Sequence, residues 1–350
     1  MSLPRLRKQL AHAPFVPPVA AAALAPSGGA DTLRFLVWGD WGRQGYYNQD
    51  VVAAAMGRTA DSLSASFLVS TGDNVYENGL KSARDPLWRK TFTDVYTAPA
   101  LASIPVYAVL GNHDWRGNTT AQVAATGGVR DAEPRWRAHM SFAPDAAAGA
   151  VTEHWAGVAE GEAAPEGVPP LLAIVYIDTS PWVSDYRVGA GMDWAAAGIV
   201  PRGAAGADWA AWQAAQAARV AAALSGSSAR RKLVVGHHAV FSFGEHGDTP
   251  ELRWLDAAMR AGGAQAYLNG HDHDLQVIVR DAAGPAYVTS GAGSQTRDDV
   301  GGVRDASLRF AYGDAGFHAL EVSPDTLRVH SLDAHGARLH TYERRWDGTA

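Results

Sequence analysis

The chain has 350 residues, 47% apolar and 19% charged, enough to build a full core and unlike any disordered, collagenous or coiled-coil composition. Its 30 Lys and Arg against 36 Asp and Glu leave a net charge of −6, so it lacks the basic footprint of a general nucleic-acid binder. The absence of cysteine excludes disulfide scaffolds, thiolate zinc sites and cysteine nucleophiles.

At the N-terminus, Arg5, Arg7 and Lys8 precede Phe15, Val16 and the Ala-rich stretch Val19 to Leu24. That order is similar to a targeting segment and would place the protein in a secreted or lumenal compartment. Pro17, Pro18 and Pro26 equally fit a disordered Ala/Pro extension. Both readings stay open, so residues 1–30 are divided off as an extension or targeting segment and residues 31–346 are expected to form a single domain. No run approaches the ~18 apolar residues of a membrane span.

From Leu33 onward short apolar runs each end in a polar cluster. Leu33 to Trp38 leads into Asp40, Phe67 to Ser70 into Asp73, and Val106 to Leu110 into Asn112 and His113. Helix candidates lie at about Gln49 to Leu63, Asp208 to Leu224 and Pro250 to Ala261. Leu171 to Ile177 ends at Asp178, Leu233 to Val235 at His237 and His238, and Ala266 to Leu268 at His271, Asp272 and His273. Runs with so little alternation predict strands buried on both faces, and the clusters at their carboxyl ends predict a ligand-binding rim. Beyond the last cluster, Leu275 to Arg280, Ala286 to Ser290, Phe317 to Val322, Leu327 to Leu332 and Arg338 to Tyr342 read as antiparallel strands. Residues 143–170 and 187–206 read as long surface loops.

The clusters supply Asp40, Asp73, Tyr76, Asn112, His237, His271 and His273, a donor set of carboxylate, phenol, amide and imidazole suited to hard or borderline metals. Any one of them alone fits a helix cap or a core group as well as a ligand. Seven overfill one tetrahedral site, and two metals about 3.5–4 Å apart are the usual clamp for phosphoryl displacement.

Asp40-Trp41-Gly42, Gly72-Asp73 with Tyr76, Gly111-Asn112-His113, Val234 to His237 and Gly270-His271-Asp272-His273 stand in the order of the five metal-binding motifs of purple acid phosphatases. The chain thus resembles that branch of the calcineurin-like metallophosphoesterases, its small tartrate-resistant and plant types above all. Glu245-His246-Gly247 and Ser290 to Gly293 extend the likeness, which covers about Leu33 to Arg345.

The resemblance implies an α/β fold, a four-layer αββα sandwich of two mixed sheets flanked by helices. It implies that Asp40, Tyr76 and His273 hold a first metal, that Asn112, His237 and His271 hold a second, and that Asp73 bridges them. Most metallophosphoesterases open with Asp-x-His, but Gly42 stands at that position here, and a phenolate from Tyr76 in its place favours Fe(3+) in the first site. The second site suits Fe(2+), Zn(2+) or Mn(2+) alike.

The function expected from the resemblance is an acid phosphatase, in which a metal-bound hydroxide attacks phosphate monoesters of small molecules or phosphoproteins. His113 and His246 are the candidates for protonating the leaving group, and Asp114 is expected to orient an imidazole. Neighbours of ligands tend to point away along a chain, so His238, Asp272 and Asp274 read as structural. A phosphodiesterase or nucleotidase of the same superfamily is the alternative enzyme reading, and an iron or phosphate binding protein the non-enzyme one. A monomer is expected.

Overall fold

A computed structural model describes residues 24–139, 151–159, 161–187, 192–195, 197, 199–297, 300 and 302–346. Its strands in chain order are β1 (Leu33–Trp38), β2 (Phe67–Ser70), β3 (Val106–Ala108), β4 (Trp136–Ala138), β5 (Val151–His154), β6 (Leu172–Tyr176), β7 (Arg231–Val235), β8 (Ala266–Asn269), β9 (Leu275–Ile278), β10 (Ala286–Ser290), β11 (Leu308–Tyr312), β12 (Gly316–Val322), β13 (Thr326–Asp333) and β14 (Arg338–Arg345). The long helices are α1 (Gln49–Leu63), α2 (Gly206–Gly226) and α3 (Arg253–Gly262).

Among the described residues the strands form two seven-stranded sheets, in the orders β14-β13-β12-β1-β2-β3-β4 and β11-β9-β10-β8-β7-β6-β5. Both are mixed. Parallel neighbours β1, β2, β3 and β4 stand beside antiparallel β12, β13 and β14 in the first, and parallel β6, β7, β8 and β10 lie between antiparallel neighbours in the second.

Period-two alternation sorts the buried side chains into layers. In β1, Phe35 and Val37 enter the core between the sheets with Val69, Ile174, Val235 and Leu268. Leu36 and Trp38 point the other way, under Val52, Met56 and Leu63 of α1. On the far side, Val234 and Tyr267 meet Val220 and Leu224 of α2 and Leu255 and Met259 of α3. Three apolar layers make the four-layer αββα sandwich, with both faces of the central strands covered as their unbroken apolar runs predict.

The strands absent from the sequence reading are β4, β5 and β11. Each is short, and β4, β5 and β11 occupy sheet edges. An edge strand is half solvated and carries no continuous apolar run. Within the first expected loop, β5 is therefore a strand, while residues 140–150 lie outside the described residues. In the second, residues 188–191, 196 and 198 do too, and Trp194 packs its ring 4.5 Å from that of Trp115.

Residues 1–23 lie outside the described residues, but the end of the expected extension is built into the fold. Leu24 is buried in the core beneath α1, and the Ser27 amide donates to Glu321 Oε1 at 2.8 Å. Leu24 and Ser27, inside the segment divided off as residues 1–30, thus contact the domain. Among the described residues no helix is long and apolar enough to cross a membrane.

Candidate metal centre

Parallel strands of both sheets deliver the expected donors at their carboxyl ends. Asp40 follows β1, Asp73 and Tyr76 follow β2, Asn112 and His113 follow β3, His237 follows β7, and His271 and His273 follow β8. Asp40, Asp73 and His271 have φ of 59°, 50° and 72°. A non-glycine residue in this left-handed region costs of order 1–2 kcal/mol, a cost tolerated mainly where a site over-determines the backbone. Neighbours hold these turns: the Asp40 amide donates to Gly72 O at 3.0 Å and the His271 amide to Asp40 Oδ2 at 3.0 Å.

One group of donors gathers around Asp40. The Tyr76 hydroxyl donates to Asp40 Oδ1 at 3.0 Å and stands 3.1 Å from His273 Nε2, which is itself 3.5 Å from Asp40 Oδ1. Burial, together with the charges of Asp40 and Asp73, keeps the phenol well above its ordinary pKa. Gly42 leaves no room for a side chain, since a Cβ there would lie 2.0 Å from the carbonyl oxygen of Asn74. The backbone leading to Tyr76 fills that space.

A second group gathers around His237. Its Nδ1 lies 2.9 Å from the carbonyl oxygen of Thr71; a carbonyl only accepts, so Nδ1 carries the hydrogen. Nε2 therefore faces Asn112 Oδ1 at 3.1 Å and Asp73 Oδ1 at 3.6 Å with its lone pair. Three acceptors turned toward one another are stable only around a cation or a proton. Burial pushes the His237 pKa down, but Asp73 and Asp40 outweigh it and the value is raised. Asp73 shows the converse, since burial raises its carboxyl while His237 and His113 more than offset that and lower it. The ring of His271 lies 5.1 Å from that of His237.

Asp40, Asp73 and His237 present ligand atoms within 4.8 Å of one another, and so do His237, His238 and His271. Asp40 and Asp73 are 0% and 1% exposed, and among the described residues neither has a Lys or Arg within salt-bridge distance. Buried carboxylates this close need a counter-charge. The donor set and its arrangement fit metal ions.

His238 is buried beside these groups. Thr179 Oγ1 accepts from the amides of His237 and His238 at 3.2 and 2.9 Å and lies 2.8 Å from His238 Nδ1. Asp272 holds the His246 amide at 2.7 Å, and Asp274 accepts from Gln276. Asp114 corrects an expectation: among the described residues no imidazole is hydrogen-bonded to it. Its carboxylate accepts from the amides of Gly111, Asn74 and Val75 and from Gln122, so it shapes the two turns that carry Asp73 and Asn112. Burial and the charge of Asp73 raise its pKa to about 7.

A cavity of about 350 Å³ opens over the donors, lined by Asp73, Asn112, His113, His246, His271 and His273. His113 Nδ1 lies 2.6 Å from Glu77 O, and its ring packs on Tyr76 with centroids 4.4 Å apart. His246, exposed, stacks on His271 at 4.1 Å. Three lining cations escaped the sequence reading: Arg43, 3.7 Å above the Tyr76 ring, Arg116 and Arg297. Each follows a motif by a few residues, but nothing in the local pattern separates a rim arginine from a surface one.

Two sheets with donors at their strand ends define a metallophosphoesterase-like architecture, and the family model described as "Calcineurin-like phosphoesterase" matches residues 33–275. Purple acid phosphatase 3 of Arabidopsis thaliana is 36% identical over 329 residues, covering 92% of this chain and 80% of that protein. Tartrate-resistant acid phosphatase type 5 of Mus musculus is 30% identical over 329 residues, covering 88% and 89%. Among solved structures, a purple acid phosphatase from yellow lupin seeds shares the fold with a TM-score of 0.57 at 12% identity, covering 93% of this chain and 56% of that one. GAP50 of Plasmodium, described as an anchor in the inner membrane complex, shares it with a TM-score of 0.67 at 22% identity, covering 90% and 89%. The chain belongs to the purple acid phosphatase branch of the calcineurin-like phosphoesterases.

Proposed function

We infer that the protein is a binuclear-metal acid phosphatase that hydrolyses phosphate monoesters. The observation that carries this reading is the convergence of Asp40, Asp73, Tyr76, Asn112, His237, His271 and His273 beneath a cavity that His113 and His246 also line. Asp40, Tyr76 and His273 would hold the first metal, Asn112, His237 and His271 the second, and Asp73 would bridge them. The phenol of Tyr76 favours Fe(3+) in the first site; the second set suits Fe(2+), Zn(2+) or Mn(2+). When bound, such a pair supplies Lewis acidity toward the phosphate oxygens and an acidified water.

The remaining work belongs to the chain. Because Glu77 O can only accept, His113 Nδ1 carries a hydrogen, and its Nε2 is the atom left to hold the proton for the leaving alkoxide. Asp272 fixes the backbone of His246, which lines the same cavity as His113, so each imidazole is a candidate to reach an ester bound there. All seven donors come from one chain, which supports a site complete in the monomer. A secreted or lumenal location rests on residues 1–23, outside the described residues.

The test is metal analysis of the purified protein combined with phosphate release from an aryl monoester and its diester analogue. The reading expects two metal ions per chain and faster turnover of the monoester. Asn112→Ala and His237→Ala should each abolish turnover and lower metal content. Full activity with unchanged metal in either variant would overturn the assignment.

A further inference from the structure

The rim arginines differ in how their charge is met. Arg43 pairs with Glu77 at 2.6 Å, and Arg297 pairs with Glu245. Arg116 is exposed and has no carboxylate within salt-bridge distance among the described residues. Its Nη1 donates to Glu77 O at 3.4 Å and stands 3.2 Å from His113 Nδ1, which carries a hydrogen itself and so accepts nothing from it. Its Nε and Nη2 hydrogens stand without an acceptor among the described residues, at the edge of a cavity that contains the scissile phosphate in the reading above. A guanidinium with open donors beside an anion-binding cavity is a fork for a second carboxylate or phosphate.

We propose that Arg116 is the specificity-determining residue of this cavity, binding a second anionic group carried by the leaving alcohol of the substrate. The inference rests on the phosphatase reading. Arg116 Nη1 stands 3.2 Å from His113 Nδ1, across the same imidazole from Nε2, the atom assigned to the leaving oxygen. An anionic group a few bonds beyond the ester oxygen therefore falls within its reach, whereas a neutral alcohol leaves it in water. The favoured substrates are small phosphate monoesters whose alcohol bears a carboxylate or another phosphate. Hydrolysis is unchanged in its balance: water oxygen bonds to phosphorus, the ester P–O bond breaks, and the departing alkoxide takes one proton.

Two esters isolate the effect, 3-phosphoglycerate and glycerol 3-phosphate, which share the carbon chain and ester position and differ in the carboxylate. The metal-loaded wild type should favour 3-phosphoglycerate in kcat/KM. Arg116→Gln should lower that value about 10- to 100-fold, chiefly through KM, the scale of hydrogen bonds to a charged group, with a much smaller loss on glycerol 3-phosphate. Arg116→Lys should restore part of the preference, and added salt should erode it in the wild type. Equal losses on both esters would make Arg116 a support for His113 and overturn the proposal, as would a wild type without preference. Calorimetric affinities for the two esters read the same contrast without turnover. If the metal-loaded protein hydrolyses neither these esters nor an aryl phosphate, the phosphatase reading fails, and Arg116 is then judged by binding alone: equal affinity of wild type and Arg116→Gln for 3-phosphoglycerate would sink it too.

Discussion

The hydroxyl of Tyr76 and the Nε2 of His273 stand 3.1 Å apart, although they come from turns after strands of different sheets. Asp40 completes the triangle. An oxygen, a nitrogen and a carboxylate brought this close in a buried space would form the first coordination site of the proposed pair, and its colour would depend on one atom. Tyrosinate bound to Fe(3+) absorbs visible light by charge transfer, and Zn(2+), with a filled d shell, does not.

Tyr76→Phe removes that oxygen and keeps the ring against His113 and beneath Arg43. The iron-loaded wild type should be pink to purple, and the variant should fold but lose the visible band. Activity should fall less than colour, because Asp40, Asp73 and His273 remain. A band that survives the substitution, or iron-loaded wild type without one, would remove Tyr76 from the metal.

His113 and His246 line the cavity from opposite motifs, and neither is needed to complete either group of donors. His113→Ala and His246→Ala should therefore keep both metals. With alkyl esters the rate should fall roughly 10²- to 10⁴-fold, the range of general-acid catalysis, and with an activated aryl ester the loss should shrink. Equal loss on both esters would mean that the imidazoles position phosphate and donate no proton.

The strand ends bearing Asp40, Asp73 and His237 were legible because the preceding runs are buried on both faces, which leaves an uninterrupted apolar signature in the sequence. Edge strands β4, β5 and β11 lack that signature. Asp114 was misjudged for a different reason: its place next to His113 suggests an imidazole partner, but its carboxylate turns inward to backbone amides that are distant in sequence. The left-handed backbone of Asp40, Asp73 and His271 had no glycine to announce it. Arg116 is singled out by having no carboxylate within salt-bridge distance among the described residues, which no linear motif records.

Deleting residues 1–23 removes none of the contacts described above. Deleting residues 1–30 also removes Leu24 from the core and Ser27 from Glu321. Burial of one leucine is worth about 1.5–3 kcal/mol, so the longer deletion should lower the melting temperature measurably below that of the shorter one. Identical melting curves would show that these two contacts add nothing to the domain's stability and would support the boundary at residue 30.

Glu321 supplies a pH-dependent test of the same region. It is 1% exposed, accepts from the Ser27 amide at 2.8 Å and Arg34 Nε at 3.0 Å, and lies 3.3 Å from His330 Nε2. Burial alone would raise its pKa, but hydrogen bonds from His330, Ser27 and Arg34 outweigh it and hold the carboxyl at about 2. The unfolded value is about 4.3. A depressed folded value means that the stabilisation is present in full above about pH 4.3 and is lost as pH falls from there through about 2. Glu321→Gln should therefore unfold at lower urea concentration than wild type near neutrality, and the gap between their midpoints should narrow steadily between about pH 4 and pH 2. A gap that stays constant across that window would show that the charge of Glu321 contributes nothing to stability and that the substitution acts through packing alone.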